Sequence, residues 1–385
     1  MSDNMKRRDF LKGATTGVGV GMLGAMGFYS YSSTRKQHFP EVTRKMTDIG
    51  TCKSVKVTNI SETSWFENAV LMGDIKGAGG LLVNQYDYNW PPFGNGKGLG
   101  KGSYAEGIAQ IKHLLPDRVD EAWEICMKNS VHPENAGGYA ALVEVEEMSG
   151  QKRKFLLDSG WSYDWTHKSF KREGIDKMLM NKEIEALFIS HEHFDHYWGL
   201  PVTLKYDPEI TIYIPEGFYP EGLQYIKDCG HKGEVVTVGN GLKKHIPGMA
   251  SYVFPIPIIC RVYGEQSLYF NVADKGLVSV TGCCHQGIIR FAETAYNEVK
   301  YENDNFHGIY GGLHISPFDD WDPKYDDLVI SLKDYGFERI GCNHCTGVLC
   351  AKKFITAGYP VIEGTAQHRS KDKAYLGNGD TITFG

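Results

Sequence analysis

Apolar and polar positions alternate in short runs from residue 51 onward, and the runs predict strands and helices taking turns. Ser54–Asn59 alternates and predicts a first strand. Tyr139–Glu146 and Lys154–Gly160 predict two more strands, joined by a turn at Ser149–Gly150. Gly174–Asn181 predicts a short helix leading into Ala186–Ile189, an apolar run too short for a helix and suited to a buried strand. Ile210–Ile214 predicts a strand and Pro220–Gly230 a helix. Ser251–Tyr263 is apolar but broken by proline. Gly264–Val272 and Gly276–Thr281 predict a hairpin-like pair, followed by a helix at Ile288–Val299, a strand at His307–Tyr310, a helix at Asp326–Tyr335 and a strand at Arg339–Gly341.

Residues 62–132 interrupt this alternation and read as an insertion. Its middle is aromatic and glycine-rich, with Tyr86, Tyr88 and Trp90 ahead of a glycine run ending at Gly102. Such a run suits a flexible loop or lid. Its backbone N–H groups could cradle a phosphate, but the preceding strand and the spacing of a phosphate loop are missing. Tyr104–Met127 has helical spacing split by Pro116.

The concentrated chemistry lies just past Ala186–Ile189. His191, His193, Asp195 and His196 fall within six residues, followed by Gly199 and Pro201. Imidazole and carboxylate crowded at a strand end make sense if a cation holds them. The donors suit zinc, iron or manganese, and the absence of cysteine among the four argues against a thiolate-rich structural zinc site. Histidines recur at later strand ends, as His285, His314 and His344. One such histidine is unremarkable, whereas repetition points to a shared centre.

Composition fits a soluble enzyme: 385 residues, long enough for one large α/β domain with insertions or for two domains. A formal charge of -6 gives no reason to expect nucleic acid as a partner. Nine cysteines are an odd count whose pairing is not readable from sequence, and Cys342-x-x-Cys345 alone is a weak redox or zinc signal.

Two resemblances follow from these motifs. Lys6-Arg7-Arg8-Asp9-Phe10-Leu11-Lys12, with the weakly hydrophobic, glycine-rich Gly13–Tyr31 behind it, resembles a twin-arginine export signal. It implies a targeting segment over residues 1–34, the export machinery as a partner, and a periplasmic or extracytoplasmic location, anchored to the membrane if uncleaved. The ordered set Leu157-Asp158-Ser-Gly160, Ser190-His191-x-His193-x-Asp195-His196, Thr281-Gly282-Cys283-x-His285-x-Gly287, Gly311-Gly312-x-His314 and His344-Cys345-Thr346-Gly347 resembles the metallo-β-lactamase-fold superfamily. Within it, the set is similar to the subgroup typified by an archaeal dihydropterin–ribofuranosylaminobenzene phosphate synthase. The implied fold is an α/β, four-layer αβ/βα sandwich spanning 51–385, with residues 62–132 as an N-terminal insertion.

The resemblance also implies roles. His191, His193 and His285 would hold one ion, and Asp195, His196 and His344 a second. Asp158 would orient the loop from behind, Asp195 would also take a proton, and His314 would contact substrate or act as a general acid. Cys283 stands where many relatives carry a bridging aspartate, so it is a possible bridging or near-metal residue. His193 replaces the glutamate of oxygen-reducing diiron relatives, which favours one or two divalent ions, Zn2+ first and Fe or Mn open, in a hydrolase. Trp198 and the aromatic insertion would line the pocket. The expected activity is metal-assisted hydrolysis of an ester, phosphoester or related bond in a small molecule. The alternatives are a pterin-related group-transfer or condensation enzyme and a non-catalytic metal-binding protein.

Overall fold

The computed structural model of the chain describes residues 46–62, 137–258, 262–302, 305–317, 321, 323–370 and 372–385. The expected export segment, the aromatic and glycine-rich stretch and the helices at Tyr104–Met127 lie outside the described residues.

The described strands are β1 (Cys52–Ser61), β2 (Ala140–Glu147), β3 (Lys152–Leu157), β4 (Ala186–Phe188), β5 (Thr211–Pro215), β6 (Val235–Val238), β7 (Gly241–Ile246), β8 (Met249–Ile258), β9 (Val262–Val272), β10 (Gly276–Thr281), β11 (Phe306–Gly312), β12 (Arg339–Asn343) and β13 (Thr381–Phe384). The helices are α1 (Tyr163–Glu173), α2 (Ile175–Met180), α3 (Phe194–Tyr197), α4 (Leu200–Tyr206), α5 (Pro220–Asp228), α6 (Ile288–Glu298), α7 (Lys324–Ser331) and α8 (Val348–Thr356). None of them is long and apolar enough to cross a membrane.

Hydrogen bonds link the strands in the order β12-β11-β10-β9-β1-β2-β3-β4-β5-β6, with β13 on β1 and the β7–β8 pair on β9. In one half β3, β4, β5 and β6 run parallel, and in the other β10, β11 and β12 do. The halves meet where β1 pairs with β9 at a single register position, Cys52 against Val272. Residues of both halves share one buried cluster, so the sheet folds back on itself at this seam.

Three apolar cores follow from that crease. Val55, Val57 and Val143 of one half pack with Leu268, Phe270 and Val280 of the other between the half-sheets. Leu156, Leu187 and Ile212 pack outward with Phe170, Ile175 and Leu179 of α1 and α2. Ile309 and Ile340 pack outward with Ile288, Phe291 and Ala295 of α6 and Leu328 of α7. Helix, sheet, sheet, helix is the α/β four-layer sandwich that the motifs imply. The packing explains the α6 sequence: Ile288, Phe291, Ala292 and Ala295 repeat at three- and four-residue spacing and are all buried. Truncating Phe291 to alanine should cost about 3–5 kcal/mol.

The proline-broken stretch is a strand after all. β8 runs through Pro255 and Pro257 because its register against β9 shifts between Phe254 and Pro257. Prolines that lack an N–H are tolerated at such an irregularity. Strand β4 ends one residue before the apolar run does, and Ile189 instead donates its N–H to the Tyr213 carbonyl at 2.9 Å.

Candidate metal centre

Every sequence-predicted site residue lies just past the C-terminal end of a parallel strand. Asp158 follows β3 and the His191–His196 loop follows β4. Cys283 and His285 follow β10, His314 follows β11, and His344 follows β12. The crease turns these ends toward one another, the usual location for a site in open α/β sheets.

The distances confirm that the residues converge. His191, His193 and His285 offer ligand atoms all within 4.8 Å of one another, and so do Asp195, His196 and His344. His191 Nε2 lies 3.0 Å from His193 Nδ1, and His344 Nε2 lies 3.3 Å from Asp195 Oδ2. Cys283 Sγ lies 3.3 Å from His196 Nε2. The rings of His314 and His285 are 4.6 Å apart. All of these side chains are buried. Trp198 is half-buried and packs on the cores beside the loop, whereas Tyr86, Tyr88 and Trp90 lie outside the described residues.

Behind the ligand atoms stands a carboxylate relay. Asp158 accepts hydrogen bonds from Ser190 N at 2.6 Å, Ser190 Oγ at 2.7 Å and His196 Nδ1 at 2.7 Å. Ser190 Oγ in turn sits 2.8 Å from His191 Nδ1. A carboxylate on Nδ1 fixes the tautomer and leaves the Nε2 lone pair toward the centre. Asp158, His314 and His344 all hold left-handed backbone, with φ of 63°, 44° and 47°. Non-glycine residues adopt that region at a cost, and it clusters at sites that need a particular side-chain aim.

Three contributors carry no role in the sequence reading. Glu265 of β9 accepts from His285 N at 2.8 Å and from His285 Nδ1 at 3.1 Å, the same role Asp158 plays for His196. Gln266 donates from Nε2 to the carbonyls of Ile189 at 2.7 Å and Tyr213 at 2.9 Å, tying β9 to the metal loop's strand. Ser190 is the third. The signal available was a run of polar residues, Glu265-Gln266-Ser267, inside a strand that is buried from Tyr263 to Val272. The Cys342-x-x-Cys345 pair does not come together as a unit. Cys342 packs in the outer core with Cys350, while Cys345 turns inward and places its Sγ 3.1 Å from Cys283 Sγ. Cys52, Cys229, Cys283, Cys342 and Cys345 are free thiols.

Electrostatics match a place for a cation. Burial, reinforced by neighbouring imidazoles, holds His191, His285 and His314 well below the usual histidine range. Burial also lowers His344, against the pull of Asp195. Burial pulls His196 down too, yet Asp195 and Asp158 raise it overall. Burial pushes the Asp195 carboxyl up, but His196 and His344 outweigh it and keep the group ionised. His285 Nε2 and both ring nitrogens of His314 are buried with no hydrogen-bond partner among the described residues. Each such atom costs about 1–3 kcal/mol. A cation shared by His285 Nε2 and its neighbouring imidazoles removes that cost at this atom, so the donors fit one or two divalent ions.

Residues 136–248 match the family model of the metallo-beta-lactamase superfamily. The later donors, His285, His314 and His344, lie beyond the matched stretch. Among curated proteins the chain is similar to the 7,8-dihydropterin-6-methyl-4-(beta-D-ribofuranosyl)-aminobenzene-5'-phosphate synthase of Methanocaldococcus jannaschii. The two are 25% identical over 256 residues, covering 57% of this chain and 83% of that protein. Solved structures with a similar outline include a metal-dependent hydrolase of the beta-lactamase superfamily, at 20% identity, with 65% of this chain and 91% of that one covered and a TM-score of 0.44. Zn2+-bound PqqB from Methylobacterium extorquens gives 12% identity, coverage of 86% and 99%, and a TM-score of 0.41.

Proposed function

We propose that the chain is an exported metal-dependent hydrolase acting on an ester, phosphoester or related bond of a small molecule. The observation that carries the reading is the convergence of buried imidazoles and one carboxylate from opposite halves of the sandwich, with His285 Nε2 and both His314 ring nitrogens lacking hydrogen-bond partners among the described residues. In this reading His191, His193 and His285 hold one divalent ion, zinc by preference, and Asp195, His196 and His344 hold a second. Such ions supply Lewis acidity, making water acidic and polarising a carbonyl or phosphoryl oxygen.

The protein's own groups do the rest. Asp158 and Glu265 fix the His196 and His285 rings from their outer nitrogens. Asp195, kept ionised by its histidine neighbours, receives a proton at its carboxylate. His314, held neutral by burial and nearby imidazoles, suits hydrogen bonding to a substrate oxygen better than delivery of a proton. The sealed surroundings strengthen each of these interactions by excluding bulk water.

Metal analysis of the purified chain, followed by a panel of phosphodiester, phosphomonoester, ester and lactone substrates with and without chelator, tests the reading. Activity should vanish on metal removal and return on reloading, and H191A and H344A should each lower metal content. Activity that survives complete removal sinks it. Export rests on Lys6–Lys12 alone: replacing Arg7 and Arg8 with lysine should retain the protein in the cytoplasm, and unchanged export contradicts that part. The likeness to the archaeal synthase favours a second reading, group transfer on a pterin-like heterocycle by the same donors. A fluorescent pterin released from the purified protein would favour it over hydrolysis.

A further inference from the structure

We propose that Cys283, Cys345 and His344 form a two-thiolate, one-imidazole site for a thiophilic cation, overlapping the position assigned above to Asp195, His196 and His344. Their ligand atoms all lie within 4.8 Å of one another and are buried. Cys283 is the hub, because it also falls in the groups with His191 and His196 and with His285 and His314. Cys345 is new to the site. It arrives from the turn after β12 and meets Cys283 at 3.1 Å between sulfurs. Tetrahedral sulfur donors about 2.3 Å from zinc stand about 3.8 Å apart, so a small side-chain adjustment separates this contact from a coordinating pair.

The surroundings leave space for the second sulfur. A Cβ on Gly312 would come within 2.7 Å of Cys345 Sγ, so glycine at that position is what lets the thiol point inward. Thr346 Oγ1 accepts from Leu313 N at 2.9 Å and donates to Gly311 O at 3.2 Å, pinning the Cys345 turn against the same glycine pair. His344 is aimed by its Nδ1, 3.4 Å from the Glu62 carbonyl, which leaves Nε2 facing the centre. On binding, each thiol gives its proton to solvent as a sulfur–metal bond forms, and nothing is oxidised or reduced. Two soft donors favour Zn2+, Cd2+ or Cu+ over Mn2+ or Mg2+.

This site rests on the ion-binding part of the reading above, not on hydrolysis, and cadmium separates the two. The metal-stripped full chain is titrated with Cd2+, following near-ultraviolet thiolate-to-cadmium absorption together with bound-metal stoichiometry. The expected result is a thiolate band that falls by about half in C345S and further in C283S. It should be unaffected in C229S, a control cysteine away from the site. Cadmium bound stoichiometrically without a thiolate band overturns the sulfur site and leaves the imidazole–carboxylate centre standing. A band lost in C283S but intact in C345S reduces the site to one sulfur and also overturns the proposal. No stoichiometric cadmium binding at all removes both readings. If either serine variant fails to fold, alkylation of the wild-type chain decides the matter. Cd2+ should protect Cys283 and Cys345 together, measured by peptide mapping after mild unfolding in the presence of metal, and equal labelling with and without Cd2+ refutes the site.

Discussion

Asp158→Asn separates the roles of the carboxylate relay most sharply. Asp158 accepts three short hydrogen bonds, from Ser190 N, Ser190 Oγ and His196 Nδ1. Asparagine has one acceptor oxygen and one donor nitrogen. If the oxygen stays on Ser190 N, the new NH2 faces Ser190 Oγ and His196 Nδ1. The hydroxyl can rotate to accept, but the imidazole must move its proton to Nε2, the nitrogen that faces Cys283 Sγ at 3.3 Å and Asp195 Oδ1 at 3.8 Å. Restoring the useful tautomer gives up one hydrogen bond to a charged group, about 1.5–3 kcal/mol. That range matches the 10–100-fold loss of affinity usual when the outer partner of a ligand histidine is removed. Competitive chelator titration of the stripped protein with Zn2+ should therefore show the Asp195–His196–His344 position weakened by about 10–100-fold. The three-histidine position should weaken less, because Ser190 Oγ still reaches His191 Nδ1. Equal weakening at both positions would make Asp158 a general structural prop, and no weakening would remove its orienting role.

Three further outcomes follow from the same geometry. G282A sets a Cβ against Asp158 Oδ2 and Ser190 Oγ; it should lower the melting temperature of the stripped protein by the equivalent of about 1–3 kcal/mol, and an unchanged melting curve contradicts the close approach. E265Q should weaken zinc at the three-histidine position by about 10–100-fold, read by the same titration, with the Asp195 position spared. Acidification from pH 7 to pH 5 should destabilise the stripped protein: His191, His285, His314 and His344 have lowered pKa values in the fold, so the unfolded chain takes up more protons as pH falls through its own histidine pKa. His196, with a raised pKa, opposes them by adding stability below the ordinary histidine pKa, but is outnumbered. A melting temperature that rises on acidification would show the signs to be wrong.

Much of the centre is legible in the sequence because the pleat and the βα connection impose a spacing. His191, His193, Asp195 and His196 lie within six residues, and the glycine-flanked His285, His314 and His344 each mark a strand end. Glu265 and Gln266 escape notice because a polar residue inside a strand carries no spacing signature. Glu265 meets His285 through the antiparallel pairing of β9 with β10, and Gln266 meets Ile189 only across the two halves. The turn of Cys345 away from Cys342 depends on tertiary packing in the same way. Helix α1 also went unpredicted; its buried face is only Thr166, Ser169 and Phe170, too weakly apolar to register as a period. β8 was hidden by its prolines, whose missing N–H groups a bulge absorbs.

The split of the donors between the two halves has a consequence for biogenesis. With His285 placed after β10 and His344 after β12, a growing chain holds His191, His193, Asp195 and His196 but neither of the second half's donors until those strands have been made. In the proposed reading, complete loading would follow docking of the two halves, and a chain stopped before β10 should bind less zinc than the full chain.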